Sequence, residues 1–213
     1  MKQLYALLIL TLSIVGCTSY NPKQLQYNDY VEWVSKNKES LSKVKDNRII
    51  SINAEFQPSD LLAYHEYKRS GKSDDSDYDV ILEKYQCGIS FKISVKAKDQ
   101  QVNLLNYGIS SYAEYSERIN YLSFQIKEFT SITTNGYSYK PVLSHFEGYN
   151  EFSNRLIFHT VFQPEEFDCG KYRQDFGDIR LTFEDPFWGA GVNHFTFNKE
   201  QLINIPQLIL AQN

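Results

Sequence analysis

Histidine and serine most often reveal a hydrolytic or metal-dependent site by their spacing, and here their spacing reveals none. The histidines are His65, His145, His159 and His194. They form no HxH, HxxxH or HExxH pair, so no local pair of ligands can start a zinc site. There is no GxSxG elbow and no glycine-rich phosphate loop, and two Ser-x-x-Lys matches lie in a lysine-rich amphipathic segment. We therefore expect no catalytic residues, no metal and no cofactor.

An acidic run, Asp75-Ser76-Asp77-Tyr78-Asp79, places carboxylates at alternate positions. Such carboxylates can converge on Ca²⁺, which takes six to eight oxygen ligands. An EF-hand loop also needs Gly at its sixth position and Glu at its twelfth, where this chain has Val80 and Gln86. We therefore predict that residues 70–79 form a solvated loop.

The segment DPFWGAG, residues 185–191, combines one Pro and two Gly residues with two large aromatic rings. Phe187 and Trp188 are unusually apolar for a connection between two strands. Large aromatic side chains on a rigid scaffold are favoured anchors at interfaces, and they can also stack on sugar faces. The alternative is that both rings fold back and close the end of the sheets, because exposed aromatic patches reduce solubility. We name Phe187 and Trp188 as candidate binding residues.

The N-terminus has the parts of a secretory signal. Lys2 provides a positive charge, and the apolar stretch over residues 4–15 is interrupted only by Thr11 and Ser13. This stretch is shorter than the roughly 20 residues that a membrane-spanning helix needs. Its length suits the apolar region of a signal peptide.

Ile14-Val15-Gly16-Cys17 resembles the lipobox of bacterial lipoproteins: an aliphatic residue, a small or aliphatic one, Gly or Ala, and Cys. The resemblance covers residues 1–17 alone. It implies cleavage before Cys17, a diacylglycerol on the Cys17 thiol, and acylation of the new amine. Position 18 is Thr and not Asp, which by similarity to enterobacterial sorting favours the outer membrane, on its periplasmic or surface face. A conventional signal peptide with Cys17 incidental and an uncleaved short anchor are the alternatives.

Two cysteines follow Cys17, and they are Cys87 and Cys169. Outside the cytoplasm an even remaining pair is a disulfide candidate. The bridge would close a loop of about 80 residues, a constraint worth on the order of 4–5 kcal/mol in the chain-entropy model. Two unrelated buried thiols are the alternative. We predict the Cys87–Cys169 bridge.

The formal net charge of −4 argues against a nucleic-acid partner, which requires a basic surface.

Asp29-x-x-Glu32 resembles a capping box and predicts a helix over residues 29–46, and a second helix is expected over 60–69. Asn135-Gly136 suits a type I′ turn and predicts a hairpin. Alternating apolar residues predict strands at 50–56, 89–95, 102–107, 122–132, 137–142, 156–162, 179–183 and 195–197. The apolar tail 202–210 is expected to pack as an edge segment.

These elements predict a mainly β, α+β fold: an antiparallel β-sandwich, with the immunoglobulin arrangement as one form, and one or two N-terminal helices packed on it. We divide the chain into a signal peptide (1–16), a lipidated tether (17–28) and a single β-rich domain (29–213).

The expected function is that of a non-enzymatic envelope lipoprotein, held at the membrane through Cys17, whose domain binds or assembles with envelope proteins. A carbohydrate or small-ligand binding module is the first alternative, since it would use Phe187 and Trp188. A hydrolase or metalloprotein built from distant residues is the second.

Overall fold

The computed structural model describes residues 23–71, 74–150, 152–165, 169 and 176–210. Cys17, the predicted signal peptide (1–16) and residues 17–22 of the predicted tether lie outside these ranges. The helices in them are α1 (Tyr27–Lys36), α2 (Lys38–Leu41), α3 (Ser59–Arg69), α4 (Asp75–Gln86), α5 (Tyr112–Phe124), α6 (Ile126–Phe129) and α7 (Lys199–Ile203). Among the residues described, no helix combines the length and the apolar character required to cross a membrane.

The strands form two antiparallel sheets and one short parallel pair. Those in the described ranges are β1 (Gln24–Leu25), β2 (Ser42–Asp46), β3 (Ile50–Gln57), β4 (Ile89–Ala97), β5 (Thr130–Thr134), β6 (Tyr137–Tyr139), β7 (Leu143–Asn150), β8 (Arg155–Phe162), β9 (Ile179–Glu184), β10 (Val192–Phe197) and β11 (Gln207–Leu208). The five-stranded sheet has the order β2-β3-β4-β8-β7, the four-stranded sheet has the order β10-β9-β5-β6, and β1 pairs with β11. The predicted α+β fold with antiparallel sheets is confirmed.

The main core lies between the inner faces of the two larger sheets. Along β3, β8 and β10 buried residues alternate with more exposed ones, as expected for strands with one covered face. Phe91 of β4 lies 5.1 Å from Phe197 of β10 between ring centroids, and Phe158 of β8 lies 6.2 Å from Phe183 of β9. These contacts join the sheets in a sandwich-like packing. The strand order differs from that of immunoglobulin domains, which place the third strand in the second sheet.

The Asn-Gly hairpin forms where the sequence predicts it. Asn135 and Gly136 have φ angles of 50° and 84°, the left-handed values that a type I′ turn requires at both central positions. Thr134 of β5 is therefore paired with Tyr137 of β6. Asparagine and glycine are the residues that adopt this backbone with the least strain.

The predicted helix over 29–46 is wrong in its second half. Helix α1 ends at Lys36, α2 adds one short turn, and β2 begins at Ser42. Val44 lies opposite Asn53 of β3 in the antiparallel ladder, and 59% of its surface is exposed. Hydrogen bonds to β3 have replaced those of the helix, and the imperfect apolar stripe of this segment did not reveal the change.

The predicted loop over 70–79 is also wrong, because α4 occupies its second half. The Asp74 carboxylate accepts a hydrogen bond from the Ser76 N–H at 3.0 Å and so caps the helix. The same interaction lowers the pKa of Asp74. Tyr78 and Ile81, three residues apart, are both buried. The first turns of α4 consist mostly of aspartate and serine, so the sequence pattern did not show the narrow apolar stripe of this helix.

Two predicted strands are replaced by other structure. Residues 122–124 end α5 and residues 126–129 form α6, so that a strand forms only at Thr130–Thr134 within the predicted range. Leu122 and Ile126 are buried at a spacing of four, which fits a helix as well as an alternating strand. Residues 102–107 form turns, with Leu104 buried. The helices are therefore more numerous than the one or two expected at the N-terminus.

The C-terminal tail lies beside the start of the described chain. The Gln207 N–H donates to the Lys23 carbonyl at 2.8 Å in the parallel β1–β11 pair. The Leu208 N–H donates to the carboxylate of buried Asp60 at 3.1 Å. Residues 23–25, which the sequence analysis placed in the tether, are therefore held against the folded domain.

Candidate functional site

A cleft of about 400 Å³ opens between α5, the turns before it and the connection between β9 and β10. We call it the Phe187 cleft. Its lining includes Ile109, Glu114, Glu117, Arg118, Tyr121 and Phe187. The cleft combines aromatic and charged side chains, a composition that suits small polar ligands.

Helix α5 places four of these residues on one face. Glu114, Glu117, Arg118 and Tyr121 follow the i, i+3, i+4, i+7 spacing, which aligns side chains along one side of a helix. The helix begins where the Ser111 hydroxyl accepts the Glu114 N–H at 3.2 Å. Local capping therefore determines where this face begins.

Glu114 belongs both to the cap and to the Phe187 cleft. Its carboxylate accepts the Ser110 N–H at 2.9 Å and is also within hydrogen-bond distance of the Ser110 hydroxyl. Hydrogen bonds from the Ser110 backbone and side chain stabilise the charged form and lower the pKa of Glu114. This carboxylate is therefore ionised at neutral pH and adds negative charge to the cleft.

Arg118 connects the helix to the turns in front of it. Its Nη1 donates to the carbonyls of Leu104, Leu105 and Tyr107, at 3.1, 3.2 and 2.7 Å. The guanidinium lies over the Phe187 ring, 4.6 Å from its centroid, in cation–π geometry. Partial burial lowers the pKa of Arg118, against the attraction of nearby carboxylates. The side chain thus positions one wall of the cleft, and its Nη1 donors are committed to the backbone.

The opposite wall is a tight connection organised by Asp185. The Asp185 carboxylate accepts the N–H groups of Phe187, Trp188 and Ala190. Gly191 has a φ angle of 62°, which a side chain would disfavour. These backbone bonds hold the aromatic residues of this segment in a defined position.

The two predicted binding residues lie in different environments: Trp188 is in the core and Phe187 is at the cleft. Trp188 is 1% exposed, and its Nε1–H donates to the Leu104 carbonyl at 3.0 Å. This burial corrects the interpretation of Trp188 as a binding residue, because no ring face is available to a ligand. Phe187 is half-buried and lines the cleft, with Tyr121 packed against it edge to face at 5.4 Å.

The histidines lie apart from this cleft. His145 and His159 are opposite each other on β7 and β8, and Glu147 lies 3.4 Å from His159. His194 Nδ1 is 3.0 Å from the Thr182 hydroxyl. Within the described ranges, no three His, Cys, Asp or Glu side chains are grouped closely enough to hold a metal ion.

Cys87 and Cys169 are joined by a disulfide in the structure. Cys87 follows α4, and Cys169 lies in the connection between β8 and β9, 82 residues further along the chain. A loop of this length corresponds to roughly 4–5 kcal/mol in the chain-entropy model. The bond ties the helical segment before β4 to the crossing between the two sheets.

Arg118, Glu117 and Tyr121 were missed by the sequence analysis. The spacing of residues 114–121 was the available signal, but the sequence analysis predicts no long helix there and begins a strand at residue 122. The acidic run over 75–79 was a second candidate, and it forms the first turns of α4 instead of a ligand-binding loop.

Comparisons with known proteins provide no family for this chain. No family model matches it, and no curated protein matches it. A solved structure, described as a novel protein of unknown function from Burkholderia pseudomallei, is similar with a TM-score of 0.39 and 7% identity. The match covers 84% of this chain and 88% of that one.

Proposed function

We propose that this chain is a lipid-anchored protein of the bacterial cell envelope, whose β-rich domain binds or assembles with other envelope components without catalysis. The observation that carries the proposal is the Ile14-Val15-Gly16-Cys17 motif at the end of a short apolar run. Its place in the chain, a few residues before the first described strand, suits a tether. The outer membrane is the proposed location.

The physical basis is the strength of lipid anchoring. Each buried methylene contributes about 0.8 kcal/mol, so one acyl chain gives only marginal attachment whereas two or three hold a protein firmly. A diacylglycerol on Cys17, with a further acyl chain on its amine, would therefore anchor the domain without a membrane-spanning helix.

The disulfide supports the same location. Structural disulfides persist in oxidising compartments such as the periplasm and are rare in the cytosol. Alkylation of the protein taken from cells, under non-reducing conditions, should leave Cys87 and Cys169 unmodified. A Cys87→Ser variant should expose Cys169 to the reagent and provides the control.

The decisive experiment is mass spectrometry of the N-terminal peptide from the membrane fraction. We expect cleavage before Cys17 and a mass increase that corresponds to diacylglycerol plus one acyl chain. A Cys17→Ser variant should leave the membrane fraction. An unmodified Cys17 in the membrane-bound wild type would contradict the proposal.

Assembly with envelope components is tested separately, by crosslinking in intact cells. We expect defined crosslinked species with the wild type and their loss with Cys17→Ser, which keeps the domain but removes the anchor. Identical crosslinks for both proteins would show that membrane attachment plays no part in assembly.

A carbohydrate or small-ligand binding function is the second candidate, and the Phe187 cleft favours it. The half-buried Phe187 ring, the Tyr121 ring and the carboxylates of α5 line one cleft. Aromatic rings and carboxylate acceptors are suitable contacts for sugar rings and their hydroxyls. Binding to a glycan array, reduced by Phe187→Leu, would support it, and absence of binding by the folded protein would exclude a carbohydrate ligand.

The hydrolase or metalloprotein alternative has a direct test as well. Metal analysis of the purified protein and a screen against ester, peptide and glycoside substrates would detect such a function. A metal-free and inactive sample would leave the two binding functions as the remaining candidates.

A further inference from the structure

A second cleft lies on the other side of Ile109. It has a volume of about 450 Å³, and its lining includes Asn106, Ile109, Ser110, Ser111, Tyr112 and Tyr115. We call it the Tyr112 cleft. Because Ile109 lines both clefts, and α5 contributes side chains to both, the two sites are neighbours.

The Tyr112 cleft presents an exposed aromatic ring. Tyr112 is 83% exposed, and its ring is stacked on Tyr115 with centroids 6.4 Å apart and planes inclined by 28°. The underlying ring limits the orientations of Tyr112. Its outer face therefore offers a flat apolar surface that is supported from behind, as aromatic contact with the C–H face of a sugar requires.

The carboxylates of Glu114 and Glu117 place hydrogen-bond acceptors in the Phe187 cleft. In the part of the chain that the structure describes, the exposed carboxylate of Glu117 makes no hydrogen bond or ion pair. Ionised carboxylates accept hydrogen bonds from hydroxyl groups, of which each sugar ring has several. The negative charges of Glu114 and Glu117 repel acidic sugars. The Nη1 donors of Arg118 already bind three backbone carbonyls and are not free to bind a sugar carboxylate.

The two clefts are further apart along α5 than the length of one sugar ring. Tyr112, in one cleft, and Tyr121, in the other, are nine residues apart, a rise of about 14 Å along α5. Gly108 is exposed and Ile109 is half-exposed between the clefts, so the surface that joins them is open to solvent. A single ligand can therefore contact both clefts only if it is an extended chain.

We propose that the two clefts are adjoining subsites for one neutral oligosaccharide, which crosses Ile109 and stacks on Tyr112. This inference rests on the second candidate function and specifies its ligand. Phe187 and Tyr121 contact the sugar in one subsite, and Glu117 accepts hydrogen bonds from its hydroxyls. The stacked tyrosines of α5 hold the other end of the chain.

The test uses the full chain in detergent micelles and isothermal titration with neutral β-1,4-linked oligosaccharides of glucose and of N-acetylglucosamine. We compare each series from the monosaccharide to the hexasaccharide. The affinity is expected to rise by about tenfold or more between the monosaccharide and the tetrasaccharide, since occupation of the second subsite adds contacts without a second loss of translational freedom.

Tyr112→Ala and Glu117→Gln are the test variants, and Tyr137→Ala is the matched control. Tyr137 is 61% exposed on β6 and lines neither cleft. Each test variant is expected to weaken tetrasaccharide binding about tenfold, the loss of a good interface anchor, whereas Tyr137→Ala leaves it unchanged. The thermal midpoints of all three should match the wild type, since the replaced side chains are exposed.

Two results would overturn the inference in different ways. Equal affinity for monosaccharide and tetrasaccharide, with loss of binding in Phe187→Leu but not in Tyr112→Ala, would show a single-site binder and refute the two-subsite groove alone. No binding by any member of either series would refute both the groove and the carbohydrate function. Neither result affects lipid anchoring, which is tested by the mass of the N-terminal peptide.

Discussion

The aromatic residues between the sheets and those around α5 have similar chemistry and different environments. Between the sheets, Phe91 contacts Phe56, Phe162 and Phe197, and all four are at most 3% exposed. Around α5, by contrast, Tyr112 is mostly exposed and Phe187 is half-buried beside a cleft. The interior rings alternate with polar residues on strands, whereas the surface rings come from a helix and a connection. An aromatic residue therefore indicates core or site only together with the element that carries it.

The buried core and the surface around α5 meet between two adjacent residues, Phe187 and Trp188. Trp188 is buried and bonded to the Leu104 carbonyl, while Phe187 faces the cleft under the guanidinium of Arg118. The Asp185 carboxylate binds the N–H groups of both residues and so determines their orientations. The following substitutions test this division.

The largest effect is expected from Phe91→Ala, which removes an interior ring. It should lower the free energy of unfolding by about 3–5 kcal/mol, through lost apolar contact and the cavity left behind. Tyr112→Ala, the matched surface change, should alter it by no more than about 0.5 kcal/mol. Urea unfolding followed by circular dichroism measures both. Similar losses for the two variants would remove the distinction between the regions.

Asp185→Asn acts on the boundary itself and should have the next largest effect. The amide keeps one acceptor oxygen but turns an NH₂ group toward a backbone N–H that now lacks its partner. We expect a loss of about 1.5–3 kcal/mol in the free energy of unfolding, the range for hydrogen bonds to a charged group. Asp46→Asn on the exposed edge strand β2 is the control. A neutral result would show that the carboxylate does not hold the segment.

Trp188→Phe should lower the free energy of unfolding by less, because a smaller aromatic ring still fills most of the space of the indole. Leu104 still accepts a hydrogen bond from Arg118, so the cost is the lost N–H bond and a small cavity, about 1–2 kcal/mol. The protein contains one other tryptophan, Trp33. The variant should therefore lose the blue-shifted part of the emission spectrum. A loss of red-shifted emission would place Trp188 in solvent and contradict its assignment to the core.

The smallest effect is the pH dependence of the cap at the start of α5. Because the pKa of Glu114 is lowered in the folded state, its contribution to stability is present above the ordinary value of 4.5 and is lost as the pH falls through the folded value. The difference in thermal midpoint between wild type and Glu114→Gln should therefore shrink below pH 4.5. Glu184→Gln, an exposed residue of β9, serves as the control. A difference that stays constant with pH would exclude the cap as its source.

The strands were predicted best where one face is covered and the other is solvated. Strands β3, β8, β9 and β10 keep the alternation that the sequence shows, because the opposite sheet covers the same face along each strand. Helix α4 was missed, and the end of α5 was predicted as a strand, because both helices bury narrow stripes and expose the rest. The change from α2 to β2 depends on pairing with β3, which a local pattern does not contain.

The candidate site was predicted only in part. Phe187 attracted attention because an aromatic ring in a connection is unusual, and it does line the cleft. Trp188 had the same local signal, yet it is buried. Arg118 gave no signal of its own, since its role depends on carbonyls of Leu104 and Tyr107 that a turn brings within reach.

The sequence by itself determined the alternation along β3, β8, β9 and β10 and the Asn135-Gly136 turn, because these depend on residues that are close along the chain. Only the tertiary structure decided which ring of the 185–191 segment is buried, that Cys87 meets Cys169, and that Arg118 joins α5 to the turns before it. These contacts join residues from separate elements. Their geometry follows from how the sheets and helices pack, and no local pattern specifies it.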